Sequence, residues 1–200
     1  MKKDIIKLGL ALALFAAGAC VALAMVYTVT KPAIDGHEAR NLAESLQDIF
    51  PEADDFVDVN GELVSSEPGV TISGAWKAIK GDAILGVALR VLGKSYGGDA
   101  AMLVGVGTDR RIAGIRILVL SDTPGLGANA TSPAYFVDKS SKTTFPGQFT
   151  DKPVSDPFEV KNDIAAIPAS TITSKALTLM AKRAGDAGVA WLEKAAAGGM

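Results

Sequence analysis

The hydrophobic pattern changes character along the chain. From Leu8 to Tyr27 there is no alternation at all: LGLALALFAAGACVALAMVY is twenty residues without a charge. A helix rises about 1.5 Å per residue, so this run covers roughly 30 Å, the thickness of a bilayer core. After Pro32, Leu42, Leu46, Ile49 and Phe50 recur at helical spacing in HEARNLAESLQDIF, and Pro51 closes the segment. An amphipathic helix leading out of the membrane is expected there. FVDVNGELV then sets Asn60-Gly61 between short apolar runs, which predicts a hairpin.

From Val70 the pattern is that of short strands. VTISGAWKAIK and AILGVALRVL flank the turn residues Lys80, Gly81 and Asp82; AMLVGVG and RIAGIRILVL flank Thr108 and Asp109. Four strands at such close spacing predict an antiparallel meander. The glycines of GVGTDRRIAG fall inside a hairpin, without the strand–turn–helix setting of a dinucleotide fingerprint. From Ser121 to about Asn162 the chain is rich in Pro, Gly, Ser, Thr and Asp, and a loop of that length is uncommon unless it carries function or is disordered. From Thr171 to Ala196 a last helix is expected, with Ile172, Ala176, Leu179, Met180, Ala184, Val189 and Leu192 on its apolar face; Gly185 and Gly188 mark a weak point in it. The fold class is therefore α+β, with an antiparallel sheet, flanking helices and a single N-terminal transmembrane helix. The divisions expected are 1–30 for the cytoplasmic N-terminus and anchor, 31–69 for the lead-in helix and hairpin, and 70–200 for the main domain.

Charge sets the orientation. Lys2, Lys3 and Lys7 precede the apolar run against Asp4 alone, so the positive-inside rule puts the N-terminus in the cytoplasm and the rest outside the inner membrane. Beyond Lys7 the chain carries 17 basic and 21 acidic residues, mildly acidic and unlike a nucleic-acid surface. Two other readings cut the apolar run: Ala22-Leu23-Ala24 resembles a signal-peptide cleavage site, and AAGAC offers Cys20 for lipidation. The run exceeds the usual signal-peptide core of about 7–15 residues, which favours an uncleaved anchor. Cys20 is the sole cysteine, so no intrachain disulfide forms, and His37 has no second ligand beside it for a structural zinc site.

Candidate chemistry gathers at two places. AAIPASTITSKAL crowds Ser170, Thr171, Thr173 and Ser174 at the start of the last helix, with Lys175 just behind. Ser170 suits an N-cap. Helix N-termini also favour anions such as phosphate, through free amides and the helix dipole. The other place is SDTPGLG, directly after a strand. Pro124-Gly125 favours a type II turn, Gly127 admits a ligand close to the backbone, Thr123 supplies a hydroxyl and Leu126 an apolar surface.

SYGGDAAMLVGVGTDRRIAGIRILVLSDTPGLG resembles the FMN-binding domain of the G subunit of the Rnf (Rsx) electron-transport complex, a domain shared with the C subunit of the sodium-pumping NADH:quinone reductase. Tyr96, Gly97 and Gly98 match the family's Y-G-G, and Asp122 to Gly127 match its [ED]-T-P-G-L-G. The N-terminal anchor, FPGQF, PFEVKND and the hydroxyl-rich helix start follow in the family's order, so the likeness runs from about Lys3 to Ala184. The resemblance implies an extracytoplasmic domain carrying FMN, joined through its phosphate to a threonine by a separate flavin transferase. The family's acceptor stretch resembles D-x-x-[ST]-G-A-T followed by x-[ST]-S. It lays the acceptor on Thr171 and the following hydroxyls on Thr173 and Ser174, with Ser170 as the adjacent rival. The motif's first four defined positions are Ala165, Pro168, Ala169 and Ser170 here, with Asp163 two residues from the first. Covalent FMN on Thr171, non-covalent FMN and a lost flavin all remain open on these residues. The implied function is an electron-transfer subunit of a membrane-bound Na⁺- or H⁺-translocating oxidoreductase complex, with integral and peripheral partner subunits. The alternatives are a flavin-less structural or assembly subunit of the same kind of complex and, through Cys20, an extracytoplasmic ligand-binding lipoprotein.

Overall fold

The computed structural model describes residues 2–63, 65–67 and 69–198. It has two compact units, Met1–Glu44 and Ser45–Met200. The first helix, α1 (Lys2–Ile49), begins in one and ends in the other. Its apolar stretch has a mean hydropathy of 2.4 and buries none of its surface, which makes it the one helix among the described residues long and apolar enough to cross a membrane. Pro32 lies inside this continuous helix. Proline removes one intrahelical donor. The remaining ladder carries the helix through, with Thr30 Oγ1 donating back to the Val26 carbonyl at 2.8 Å in the preceding turn.

The second unit is built on an antiparallel sheet. Strands β1 (Asp55–Asp58), β3 (Val70–Lys80), β4 (Ala83–Lys94), β5 (Asp99–Gly107) and β6 (Ile112–Leu120) lie in that order, and β2 (Ser65–Glu67) pairs with another part of β3. The expected meander is β3 to β6. The expected Asn60-Gly61 hairpin is corrected: these residues open a helical turn, α2 (Asn60–Leu63), and the segments on either side both pair with β3. The asparagine is claimed by other partners. Asp58 Oδ1 accepts from Asn60 N–H, and Asn60 Oδ1 accepts from Ala75 N–H beside the irregularity in β3.

The C-terminal helix α3 (Thr171–Gly198) covers one face of the sheet. Leu177, Met180, Ala181, Ala184 and Trp191 are buried with Leu89, Val91, Met102, Val104 and Ile112 in one core. Burying a Leu or Met side chain contributes about 1.5–3 kcal/mol, so this face fixes the helix. Gly185 and Gly188 do not interrupt it. A Cβ on Gly188 would come within 2.7 Å of the Val106 side chain, so its absence lets helix and sheet approach closely. On the other face the end of α1 packs over glycines: Ile49 and Phe50 lie against Gly86, Gly105 and Gly114.

The long segment after β6 is ordered by its own aromatic residues. Phe145, Phe149 and Phe158 are buried and touch edge-on or tilted, at 5.7 and 5.8 Å between centroids. A small ribbon, β7 (Phe136–Asp138) with β8 (Thr143–Thr144), and short 3₁₀ turns at Gly127–Thr131 and Pro146–Phe149 account for much of the rest.

Candidate functional site

The two places singled out in the sequence meet in space. A cleft of about 370 Å³ is lined by Tyr96, Asp122, Thr123, Leu126, Gly127, Ala169, Ser170, Thr171, Ile172 and Thr173. Its walls come from the β4–β5 hairpin, the loop after β6 and the start of α3.

The loop owes its shape to Pro124 and Gly125. Leu126 N–H donates to the Thr123 carbonyl at 3.1 Å, and Gly125 has φ 77°, the left-handed value that the third residue of a type II turn requires. The turn presents Leu126, 41% exposed, to the cleft. Tyr96, 68% exposed, and Ile172, 60% exposed, complete an apolar rim from three separate segments. Exposed apolar side chains gathered at one cleft mark a ligand groove more often than scattered ones do.

Behind the rim lies a polar knot. Asp122 accepts from Ser95 Oγ at 2.7 Å, from Gly97 N–H at 2.7 Å and from Thr173 Oγ1. Burial pushes this carboxyl up, and the bonds from Thr173, Gly97 and Ser95 outweigh it, holding it below the usual carboxylate range. Gly127 packs directly on the pair: a Cβ there would sit 2.3 Å from Asp122 Oδ2 and 2.6 Å from Thr173 Oγ1. Gly97 is equally constrained, since a Cβ would fall 2.1 Å from the Ser121 carbonyl oxygen.

The start of α3 is held from behind. Ser174 is fully buried; its Oγ accepts from Ile167 N–H and donates to the Ser170 carbonyl, both at 2.9 Å. Ser174 N–H makes the first helical bond, to the Ser170 carbonyl, and the amides of Thr171, Ile172 and Thr173 lie ahead of it. Ser170 thus caps the helix through its backbone. Ala169 adopts φ 58°, a conformation that normally selects glycine, and it occupies the position where the acceptor motif has glycine.

Of the residues expected at the site, Tyr96, Thr123, Leu126, Gly127, Ser170, Thr171 and Thr173 line the cleft. Gly97, Gly98, Pro124 and Gly125 shape its walls without lining it; Gly98 has φ 142°. Ser174 faces the core and Lys175 is exposed outside the cleft. Asp163 serves a different end. It accepts from the amides of Phe158 and Glu159 and pairs with Lys152 at 2.9 Å, pinning the segment before Pro168. Asp122, Ser95 and Ile172 were not assigned to the site from sequence. The position of Asp122 at the head of the glycine loop was the available signal; Ser95 and Ile172 carried none.

Residues 95–186 match the family described as FMN-binding domain, and residues 1–49 match the RnfG N-terminal region. The chain is 32% identical over 170 residues to the G subunit of a proton-translocating ferredoxin:NAD(+) oxidoreductase complex from Clostridium ljungdahlii, covering 82% of this chain and 80% of that one. It is 30% identical over 179 residues to the G subunit of an ion-translocating oxidoreductase complex from Methanosarcina acetivorans, covering 88% and 89%. It is 31% identical over 192 residues to the G subunit of a Na(+)-translocating ferredoxin:NAD(+) oxidoreductase complex from Acetobacterium woodii, covering 88% and 87%.

Proposed function

The chain belongs to the RnfG family, the G subunits of ion-translocating oxidoreductase complexes, and on that premise we propose that it is the flavin-carrying electron-transfer subunit of such a complex, with FMN esterified to Thr171. The observation that carries the assignment of the site is the meeting of the glycine loop and the hydroxyl-rich helix start at one cleft. The residues present suit an FMN. Tyr96, Leu126 and Ile172 offer apolar surface for a flat ring system. Thr171 and the leading amides of α3 offer a hydroxyl and donors for a phosphate.

When bound, the flavin supplies one- and two-electron transfer; the protein contributes binding, orientation and electrostatics. Thr171, half-buried at the cleft, is the acceptor. In maturation by a flavin transferase, Thr171 Oγ1 would be the nucleophile that takes the flavin phosphate from an activated flavin nucleotide, releasing its nucleoside monophosphate and the hydroxyl proton with no change of oxidation state. Ser170, 8% exposed, is the adjacent alternative.

The membrane helix ties the domain to integral partner subunits. We assign the N-terminus to the cytoplasm from Lys2, Lys3 and Lys7, and the main domain, over the proposed span 70–200, to the opposite side. The departures at Ala165, Pro168 and Ala169 favour a second reading, in which the transferase does not act and FMN sits non-covalently in the same cleft. Denaturing-gel fluorescence of wild type, Thr171→Ala and Ser170→Ala, each produced with a flavin transferase, tests the assignment. Loss of fluorescence only in Thr171→Ala is expected. Loss only in Ser170→Ala moves the acceptor, and a dark wild-type band with flavin released on denaturation establishes the second reading.

A further inference from the structure

The hydroxyls at the start of α3 are not equivalent. Ser174 Oγ is committed in both directions to backbone groups and is fully buried. Thr173 Oγ1 donates its proton to Asp122. Thr171 lines the cleft, and its hydroxyl has no partner among the described residues. Thr173 also lines the cleft, only two residues from Thr171, so proximity alone does not separate them. Two things do: Thr173 is buried where Thr171 is half-buried, and only Thr173 is bonded to the carboxylate.

We propose that Asp122 is the residue that keeps Thr173 from serving as the flavin acceptor, by locking its hydroxyl away and leaving Thr171, half-buried where Ser170 is buried, as the most accessible unbonded one. Asp122 is a positioning residue in this role. A hydroxyl that gives its proton to a carboxylate points its hydrogen inward and must lose a charge-assisted bond before it can turn outward. Ser95 Oγ and Gly97 N–H hold the carboxylate from the hairpin side, so it does not follow the threonine out. Gly127 closes the remaining side, with no room for even a methyl group between its backbone and the pair. The hairpin, the glycine loop and the helix start are thus tied at one carboxylate, which accounts for an acidic residue opening this loop.

The inference rests on the reading of Thr171 as acceptor, and the test separates the two. Full-length wild type, Asp122→Asn and Asp122→Asn/Thr173→Val are produced with a flavin transferase, and the flavin-bearing residue is mapped by peptide mass spectrometry. Wild type should carry flavin on Thr171 alone. In Asp122→Asn flavin should appear on Thr173 as well, at about one-tenth of all attached flavin, the scale of selectivity that one charge-assisted bond controls. The added Thr173→Val should abolish that share. A wild type without flavin on Thr171 refutes the acceptor assignment. Flavin confined to Thr171 in a folded Asp122→Asn refutes the lock while leaving the acceptor intact. A measurement without mutation covers a variant that does not fold: in unflavinylated wild type, the Thr173 hydroxyl proton should exchange with water at least about tenfold more slowly than that of Thr171. Equal exchange of the two hydroxyls refutes the lock.

Discussion

Gly127→Ala adds one methyl group at the most crowded point of the site. The new Cβ would lie 2.3 Å from Asp122 Oδ2 and 2.6 Å from Thr173 Oγ1. Ordinary contact begins near 3.4 Å, so the carboxylate oxygen must retreat by about 1.1 Å. It cannot do so freely, because Ser95 Oγ holds that oxygen and Gly97 N–H holds the other carboxylate oxygen, each at 2.7 Å. Overpacking of this kind costs about 1–3 kcal/mol. Replacing glycine lowers unfolded-state entropy and offsets about 0.4–1 kcal/mol. The net expectation is a loss of about 1–2 kcal/mol, with reduced flavin per folded molecule because the knot behind the cleft opens. Gly125→Ala is the control. Its φ of 77° strains an alanine, yet nothing lies within 4 Å of the new Cβ. Left-handed strain of about 1–2 kcal/mol, offset by the same entropy gain, leaves it somewhat less stable with flavin loading unchanged. Urea unfolding in detergent, followed by the fluorescence of Trp76 and Trp191, gives the stabilities, and absorbance at the flavin band gives the loading. Wild-type stability and loading in Gly127→Ala would refute the close packing of the loop on the Asp122–Thr173 pair.

Ala169→Gly should stabilise the protein by up to about 1 kcal/mol, because relief of left-handed strain at φ 58° outweighs or balances the entropy cost of glycine. It should also raise the covalently loaded fraction, read from gel fluorescence, since it restores the motif's glycine. The site should also have an acid limb. Burial raises the Asp122 carboxyl, while Thr173, Gly97 and Ser95 lower it further, so its folded pKa lies below its unfolded one. Its stabilising contribution is complete well above the unfolded value of about 3.9 and fades as pH falls through the folded value. The stability difference between wild type and Asp122→Asn should therefore be constant near neutral pH and shrink in acid. A difference that grows on acidification contradicts the depressed carboxyl.

Much of this architecture was legible in the pattern of residues, for physical reasons that also explain what was not. Strands β3 to β6 announced themselves because apolar runs were punctuated by tight turns. The helix at Thr171 announced itself by hydroxyls ahead of a periodic apolar face. Asn60-Gly61 misled because a hairpin signal is local, whereas Asn60 is captured by Ala75 N–H fifteen residues away. At the site, glycine and hydroxyl motifs identified the walls. The division of labour among the hydroxyls was invisible, because it depends on Asp122, 51 residues from Thr173 in the chain.

The most direct test of the central claim is the intact mass of the full-length protein, purified from membranes of cells that also make a flavin transferase and measured after denaturation, beside that of Thr171→Ala. The wild type is predicted to exceed its polypeptide mass by one FMN less one water, and Thr171→Ala to show the bare polypeptide. A wild type at bare polypeptide mass, or an unchanged adduct in Thr171→Ala, contradicts attachment at Thr171.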